Sequence, residues 1–249
     1  MGNVITTYEN LISDFAIADY SACKFFVPFS EGSGATVAEL VAGQTMTLAG
    51  LVAGDILWAG NYIYTDDVAA AGTDATITMP DLGTTKDHLT VVVADFDADS
   101  ANISLGSGTT EPMIKVDRKA ATPGTRITDT TPNTDTFLAS AADANTQAIA
   151  IYTDRNNTRG AGAASCYIDE TDGATVVAQE TLALTAVDGM NLDTAGKIVF
   201  STDVKIYGIA IFSFSAPPPS SDVLSALSWM NYQWRQGNKV IYPGWKNKT

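Results

Sequence analysis

Thiols, imidazoles and cations are scarce in this chain. Of its 249 residues only 2 are cysteines, Cys23 and Cys166. Two thiols so far apart do not make the dense, even-numbered framework that staples small secreted domains, and both are expected to be buried and free. His88 is the only histidine. That excludes any multi-histidine metal centre and any Ser-His triad that does not use this residue. Its place ahead of an apolar run predicts a surface residue at a strand start. No apolar run reaches the roughly 18 residues needed to cross a bilayer as a helix. The stretch Met1–Tyr20 has no basic segment followed by an apolar one, so no secretory signal is expected. Neither a Gly-x-Ser-x-Gly elbow nor a phosphate-cradling Gly-Lys-Thr loop occurs, which removes the usual footholds for acyl and phosphoryl transfer.

Cations are few and unevenly placed. The 14 Lys and Arg stand against 28 Asp and Glu, a formal net charge of −14. A surface this acidic argues against nucleic-acid binding, because neutralising phosphates needs clustered Lys and Arg. Asp222 is the last acid, and Arg235, Lys239, Lys246 and Lys248 follow it; the first 222 residues therefore hold all 28 acids against 10 bases, a sum of −18. Three of the 4 tryptophans, Trp229, Trp234 and Trp245, also lie beyond Asp222. An acidic body with a basic, aromatic tail predicts that the tail touches something, either its own body or a neighbouring acidic subunit.

What the chain does have is 45% apolar residues, arranged in short runs that alternate with polar ones. Such runs, bounded by Gly, Asp, Asn, Thr and Pro clusters, predict strands. They fall at 23–30, 44–49, 56–64, 76–79, 88–95, 102–105, 113–118, 136–139, 147–153, 164–169, 174–185, 197–201 and 205–214. Many short strands at this spacing predict an all-β antiparallel sandwich. Along 205–214, strict alternation puts Ile206, Gly208, Ala210, Phe212 and Phe214 on one face and Tyr207, Ile209 and Ile211 on the other, as in an inner strand covered on both sides. Pro217-Pro218-Pro219 ends this strand. Ser221-Asp222 then reads as a helix start, with Val223, Leu224, Leu227, Met230 and Trp234 at helical spacing and Gly237 as the stop. The expected organisation is an N-terminal arm over 1–21, a sandwich over 22–219, and a C-terminal helix with an extended tail over 220–249.

Several segments carry a family resemblance. Phe26-Val27-Pro28-Phe29-Ser30-Glu31-Gly32-Ser33-Gly34-Ala35-Thr36-Val37-Ala38-Glu39-Leu40 resembles the opening of concanavalin A-like, laminin G-like jelly rolls, with Glu39 where that family usually has Asp. Trp58-Ala59-Gly60-Asn61 is similar to the family's tryptophan-then-glycine edge. Tyr167-Ile168-Asp169-Glu170 resembles its Tyr-x-Asp-Gly turn, but the glycine comes only at Gly173. The run 206–214 with its proline stretch and following helix is similar to the family's closing strand and short C-terminal helix. The resemblance spans roughly residues 22–234 and implies a jelly-roll sandwich. The Ala/Thr/Gly-rich loops and the tail ending Tyr242-Pro243-Gly244-Trp245-Lys246 further resemble structural proteins of tailed bacteriophages, made in the host cytoplasm and carried in the virion.

The candidate chemistry is sparse. Glucan-cleaving enzymes of the concanavalin-type fold resemble one another in a Glu-x-Asp-x-x-Glu strand motif, whose carboxylates serve as nucleophile and acid. No such motif occurs here, and Asp169-Glu170-Thr171-Asp172 has the wrong spacing, so no catalytic residue is assigned. Asp95, Asp97 and Asp99 alternate, which on a strand sets three carboxylates on one face; they repel unless a cation or a basic side chain joins them. Calcium is the one cofactor such oxygens suggest, although Ser100 and Gly106 stand where a calcium hand needs Gly and Glu. Trp58, Tyr62 and Tyr64 alternate and offer a ring platform for a sugar. Trp229, Tyr232, Trp234, Arg235, Lys239, Tyr242, Trp245 and Lys246 have the aromatic-and-arginine composition of interface hot spots. The expectation is a non-enzymatic viral structural protein, a capsid-decorating, cement or appendage component. It would contact other virion proteins, form a homo-oligomer, and bind neither nucleic acid nor the interior of a membrane. The alternative is a carbohydrate-binding adhesin recognising a host-surface glycan, with or without calcium.

Overall fold

The structure is a computed structural model, and it describes residues 22–29, 31–49, 56–58, 62–65, 75–80, 82, 87–96, 102–106, 114–117, 124–128, 134–138, 147–154, 163–170, 176–183, 197–200 and 204–214. The N-terminal arm, the C-terminal helix and the tail expected from the sequence lie outside the described residues.

The strands are β1 (Cys23–Val27), β2 (Thr36–Glu39), β3 (Gln44–Thr47), β4 (Ile56–Trp58), β5 (Ile63–Thr65), β6 (Ala75–Thr78), β7 (Asp87–Phe96), β8 (Asn102–Gly106), β9 (Ile114–Asp117), β10 (Gly124–Thr128), β11 (Thr134–Leu138), β12 (Gln147–Asp154), β13 (Ala163–Glu170), β14 (Val176–Ala183), β15 (Lys197–Phe200) and β16 (Val204–Phe214). Most lie where the alternating runs predict. Three differences have identifiable causes. The run 56–64 is two strands, β4 and β5, paired antiparallel with Trp58 opposite Ile63, because the chain reverses between them. Thr36–Glu39 pairs with Gln44–Thr47, a hairpin too short to show a clear period. Gly124–Thr128 falls outside the expected runs, yet it pairs with both β9 and β11; strand partners on both sides override a weak local signal.

All these pairings are antiparallel. One sheet runs β14-β13-β12-β7-β16-β5-β4, with β1 also on β16, and a second runs β11-β10-β9-β8-β15-β6. The long strand β16 organises the first sheet. One of its edges pairs with β7 along nearly its whole length. Its other edge is shared: β5 takes Val204 to Ile206 and β1 takes Ile209 to Phe212. Thr65 closes the β5 end, its hydroxyl donating to the Val204 carbonyl at 3.3 Å and accepting from the Val204 N–H at 3.2 Å.

One core lies between the sheets. Phe25, Val27, Ile63, Val92, Ala94, Val204, Ile206, Ile209 and Ile211 from the first sheet meet Ile77, Ile103, Leu105, Ile198 and Phe200 from the second, with Val37, Met46 and Leu48 of the β2-β3 hairpin. Full burial of such side chains contributes about 1.5–3 kcal/mol each. Phe29 closes one side, its ring edge-on to Phe200 at 5.8 Å and 84°. It does so from a left-handed backbone at φ 46°, a conformation that costs a non-glycine residue about 1–2 kcal/mol.

The core contradicts strict alternation along β16. Val204, Ile206, Ile209 and Ile211 all belong to it, so the core-facing parity changes between Ile206 and Ile209. The cause is a β-bulge: Ile206 is opposite Ala94 and Gly208 opposite Val93, leaving Tyr207 as an extra residue. Ile206 therefore shares a face with Ile209 and Ile211, not with Ala210 and Phe212. Phe26, Leu89, Val91, Val93, Ala210 and Phe212, which alternate with the core positions, are also 0–1% exposed. The first sheet is thus buried on both faces along its centre, as an inner strand at 205–214 predicts.

His88 corrects another expectation. It lies within β7, directly opposite Ser213, and is only 3% exposed; the regular alternation of β7 puts it on the same face as the core residues Val92 and Ala94. Cys23 is buried, as expected, its thiol 3.6 Å from the Phe25 carbonyl.

The hairpin is fixed by a buried carboxylate. Glu39 is 0% exposed and accepts hydrogen bonds from the N–H groups of Phe26 at 3.1 Å, Val41 at 2.7 Å and Ala42 at 2.7 Å. Leu40 N–H donates to the Phe26 carbonyl at 2.9 Å. Residues 39 and 40 thus satisfy both backbone groups of Phe26 that point away from β16. Buried charge is tolerated only when hydrogen-bonded in this way. The Glu39 of the jelly-roll-like opening is accordingly a structural staple.

Candidate functional site

The described residues bring together one cluster of aromatic and charged side chains, on the face of the first sheet away from the core. Its geometry follows from register. Lys205 is opposite Tyr64 on β5 and opposite Asp95 on β7. Because Ile206 and Ile63 on either side point inward, Tyr64, Lys205 and Asp95 form an outward row across three adjacent strands. The Lys205 ammonium lies 3.6 Å from Asp95 Oδ2 and 5.7 Å from the centre of the Tyr64 ring. Tyr62 and Tyr207 form the next row, their ring centres 5.1 Å apart at 53°.

The bulge builds this second row. As the extra residue, Tyr207 lies next to Tyr62, one step beyond the end of the β5 ladder. Tyr207 is 8% exposed, whereas Tyr62 and Tyr64 are half-buried. The buried ring therefore acts as a backing for Tyr62, and Tyr62 and Tyr64 present the accessible aromatic surface.

Trp58 does not join them. It is opposite Ile63, packs against the core cluster, and donates its indole N–H to the Gly34 carbonyl at 2.8 Å. Gly34 adopts φ +96°, a backbone conformation open to glycine, and this aims its carbonyl at the indole. The apparent alternation of Trp58, Tyr62 and Tyr64 crosses a chain reversal, so Trp58 faces the core side and Tyr64 the opposite side. Tyr207 and Lys205 stand beside the tyrosines instead. The bulge that sets their direction leaves no mark in hydrophobic periodicity.

Asp95 lies on the outer face of β7, opposite Lys205, whose ammonium is beside it. Asp97 and Asp99 lie outside the described residues. Among the described residues no three His, Cys, Asp or Glu side chains come together as a metal would require, and no helix is long and apolar enough to cross a membrane. Trp229, Tyr232, Trp234, Arg235, Lys239, Tyr242, Trp245 and Lys246 all lie outside the described residues.

Two antiparallel sheets closing on one core, with a polar and aromatic cluster on an outer face, define an all-β sandwich of the jelly-roll kind. Solved structures of other proteins share this architecture. The receptor binding domain of botulinum neurotoxin D matches with a TM-score of 0.58 at 10% identity, over 86% of this chain and 54% of that one. Trypanosoma rangeli sialidase in complex with sialic acid matches with a TM-score of 0.55 at 12% identity, over 90% of this chain and 37% of that one. The botulinum neurotoxin serotype D ligand binding domain in complex with N-acetylneuraminic acid matches with a TM-score of 0.55 at 10% identity, over 84% and 51%. At these identities the likeness is one of fold. The chain spans about half the neurotoxin domains and less of the sialidase, so the ligands they hold belong to larger proteins. No protein-family model matches the sequence, and no curated protein matches it.

Proposed function

We propose that this chain is a non-enzymatic binding domain that uses a lectin-like jelly roll to hold a carbohydrate. The observation that carries this reading is the outer-face cluster: half-buried Tyr62 and Tyr64 beside the Lys205–Asp95 pair. Rings that receive the apolar face of a sugar, next to groups that donate and accept hydrogen bonds, are the elements of a carbohydrate site. Two neighbours of the same fold were solved with sialic acid bound, which supports the ligand class. The Lys205 ammonium supplies the positive charge that Asp95 needs, so binding should not depend on calcium. A glycan array probed with the intact chain, with and without calcium, tests the reading; retention of no glycan under either condition overturns it. A hydrolysis assay on laminarin should show no turnover, since no Glu-x-Asp-x-x-Glu motif is present.

A second reading is favoured by the charge distribution. A body of −18 followed by Arg235, Lys239, Lys246 and Lys248 with Trp229, Trp234 and Trp245 suits a subunit that docks through its tail onto an acidic neighbour. On this reading the chain is a virion component of a tailed bacteriophage, a decoration, cement or appendage protein that works as a homo-oligomer. Deleting residues 236–249 should leave the sandwich folded and abolish assembly, as read by light scattering and by incorporation into particles. A capsid, portal or tail-tube gene beside this one would support the virion role, and a cell-surface secretion cluster would count against it.

A further inference from the structure

We infer that the outer-face site selects a neutral hexopyranoside and discriminates against acidic sugars. This rests on the carbohydrate-binding reading above and specifies its ligand class.

Three observations lead to it. The first is local charge. Among the described residues Lys205 is the cation of the cluster, and Asp95 stands 3.6 Å from its ammonium. The Tyr64–Lys205–Asp95 row is therefore neutral in sum, and a carboxylate brought to Lys205 is brought to Asp95 as well. The side chains are 27% and 13% exposed respectively, so the lysine is the more accessible member. An ammonium beside a carboxylate suits donation to a sugar hydroxyl. The second is the field of the whole chain. A net charge of −14, or −18 over the part that includes the sandwich, repels an anionic ligand at long range and lowers its encounter rate. The third is the shape of the apolar surface. Tyr62 is backed by the buried ring of Tyr207 at 5.1 Å, and the Tyr64 ring lies beside it in the next row. Supported rings of this kind receive the C–H face of a pyranose, which neutral hexoses present without a charge to desolvate. The sialic acid of two structural neighbours is thus expected to be the wrong ligand for this surface.

The test is an array of neutral glucosides, mannosides and galactosides beside sialylated and uronic-acid glycans, probed with the intact chain at low and at high salt. Neutral glycans should be retained equally at both salt concentrations, because no net charge is neutralised on binding. Tyr62→Ala should weaken that retention by about tenfold, and Tyr62→Phe, which keeps the ring, should preserve it and so controls for folding. Retention of acidic glycans alone, falling with salt and lost in Lys205→Met, would overturn this inference and leave the carbohydrate reading standing. Unchanged retention in a folded Tyr62→Ala would overturn the placement of the site. Retention of nothing removes both.

Discussion

Ile206 and Ile209 both project into the core, although two residues between them should put them on opposite faces of a regular strand. The extra residue Tyr207 makes this possible. Removing it restores strict alternation, so that either Val204 and Ile206 leave the core or Ile209 and Ile211 do. The first alternative also turns Lys205 inward. Deletion of Tyr207 should therefore cost roughly 4 kcal/mol or more, the range reserved for broken cores and buried unpaired charge. Tyr207→Ala keeps the residue count, and should cost about 2 kcal/mol. Urea denaturation of the two variants separates register from side-chain loss.

Phe29 offers a reversal of the usual order of substitutions. At φ 46° its backbone suits glycine better than alanine. Both Phe29→Ala and Phe29→Gly lose the edge contact with Phe200 and about 3–5 kcal/mol of core packing. The glycine variant also relieves the left-handed strain, and should be the more stable of the two by about 1 kcal/mol. Denaturant midpoints that rank alanine above glycine would contradict this.

Glu39 should behave as a hydrogen-bonding staple. Glu39→Ala strands the N–H of buried Phe26 and those of Val41 and Ala42, with an expected loss of about 3 kcal/mol. In Glu39→Gln one oxygen remains to accept, so the loss should be about half as large. Amide exchange at Phe26 should accelerate in the alanine variant. An equal loss in both variants would show that the hydrogen bonds matter less than the negative charge.

Trp58 should separate from the tyrosines in function. Trp58→Phe loses one hydrogen bond to the Gly34 carbonyl, at about 1 kcal/mol, and leaves the outer face untouched. Its glycan retention should match that of the parent chain, in contrast to Tyr62→Ala. A parallel loss in both variants would place the binding surface on the core side of β4.

Part of this was legible in the residues. Central strands such as β7 and β16 are long, apolar and rich in β-branched side chains, and their position is fixed by the turn-forming residues around them. The buried state of Cys23 and the lack of a three-carboxylate glucanase motif could also be read directly. The alternation of Asp95 with Asp97 and Asp99 marks a group in need of a cation but does not name its partner: Lys205 is far along the chain, and only pairing β16 against β7 brings the two together. The polar and charged residues just ahead of His88 mark it as a surface residue, whereas the alternation of β7 puts it on the core-side face with Val92 and Ala94.

The sequence by itself determined the all-β class, most of the strands, the acidic body with its basic aromatic tail, and the absence of the common catalytic motifs. These depend on local pattern and composition, which each segment carries alone. Tertiary structure decided which side chains share a face. A chain reversal between β4 and β5 separates Trp58 from Tyr64, and a single extra residue turns Tyr207 toward Tyr62. Side-chain direction in a strand has a period of two, so one residue gained or one turn inserted reverses every assignment beyond it. Only the hydrogen-bonded partners on either side record where that happens.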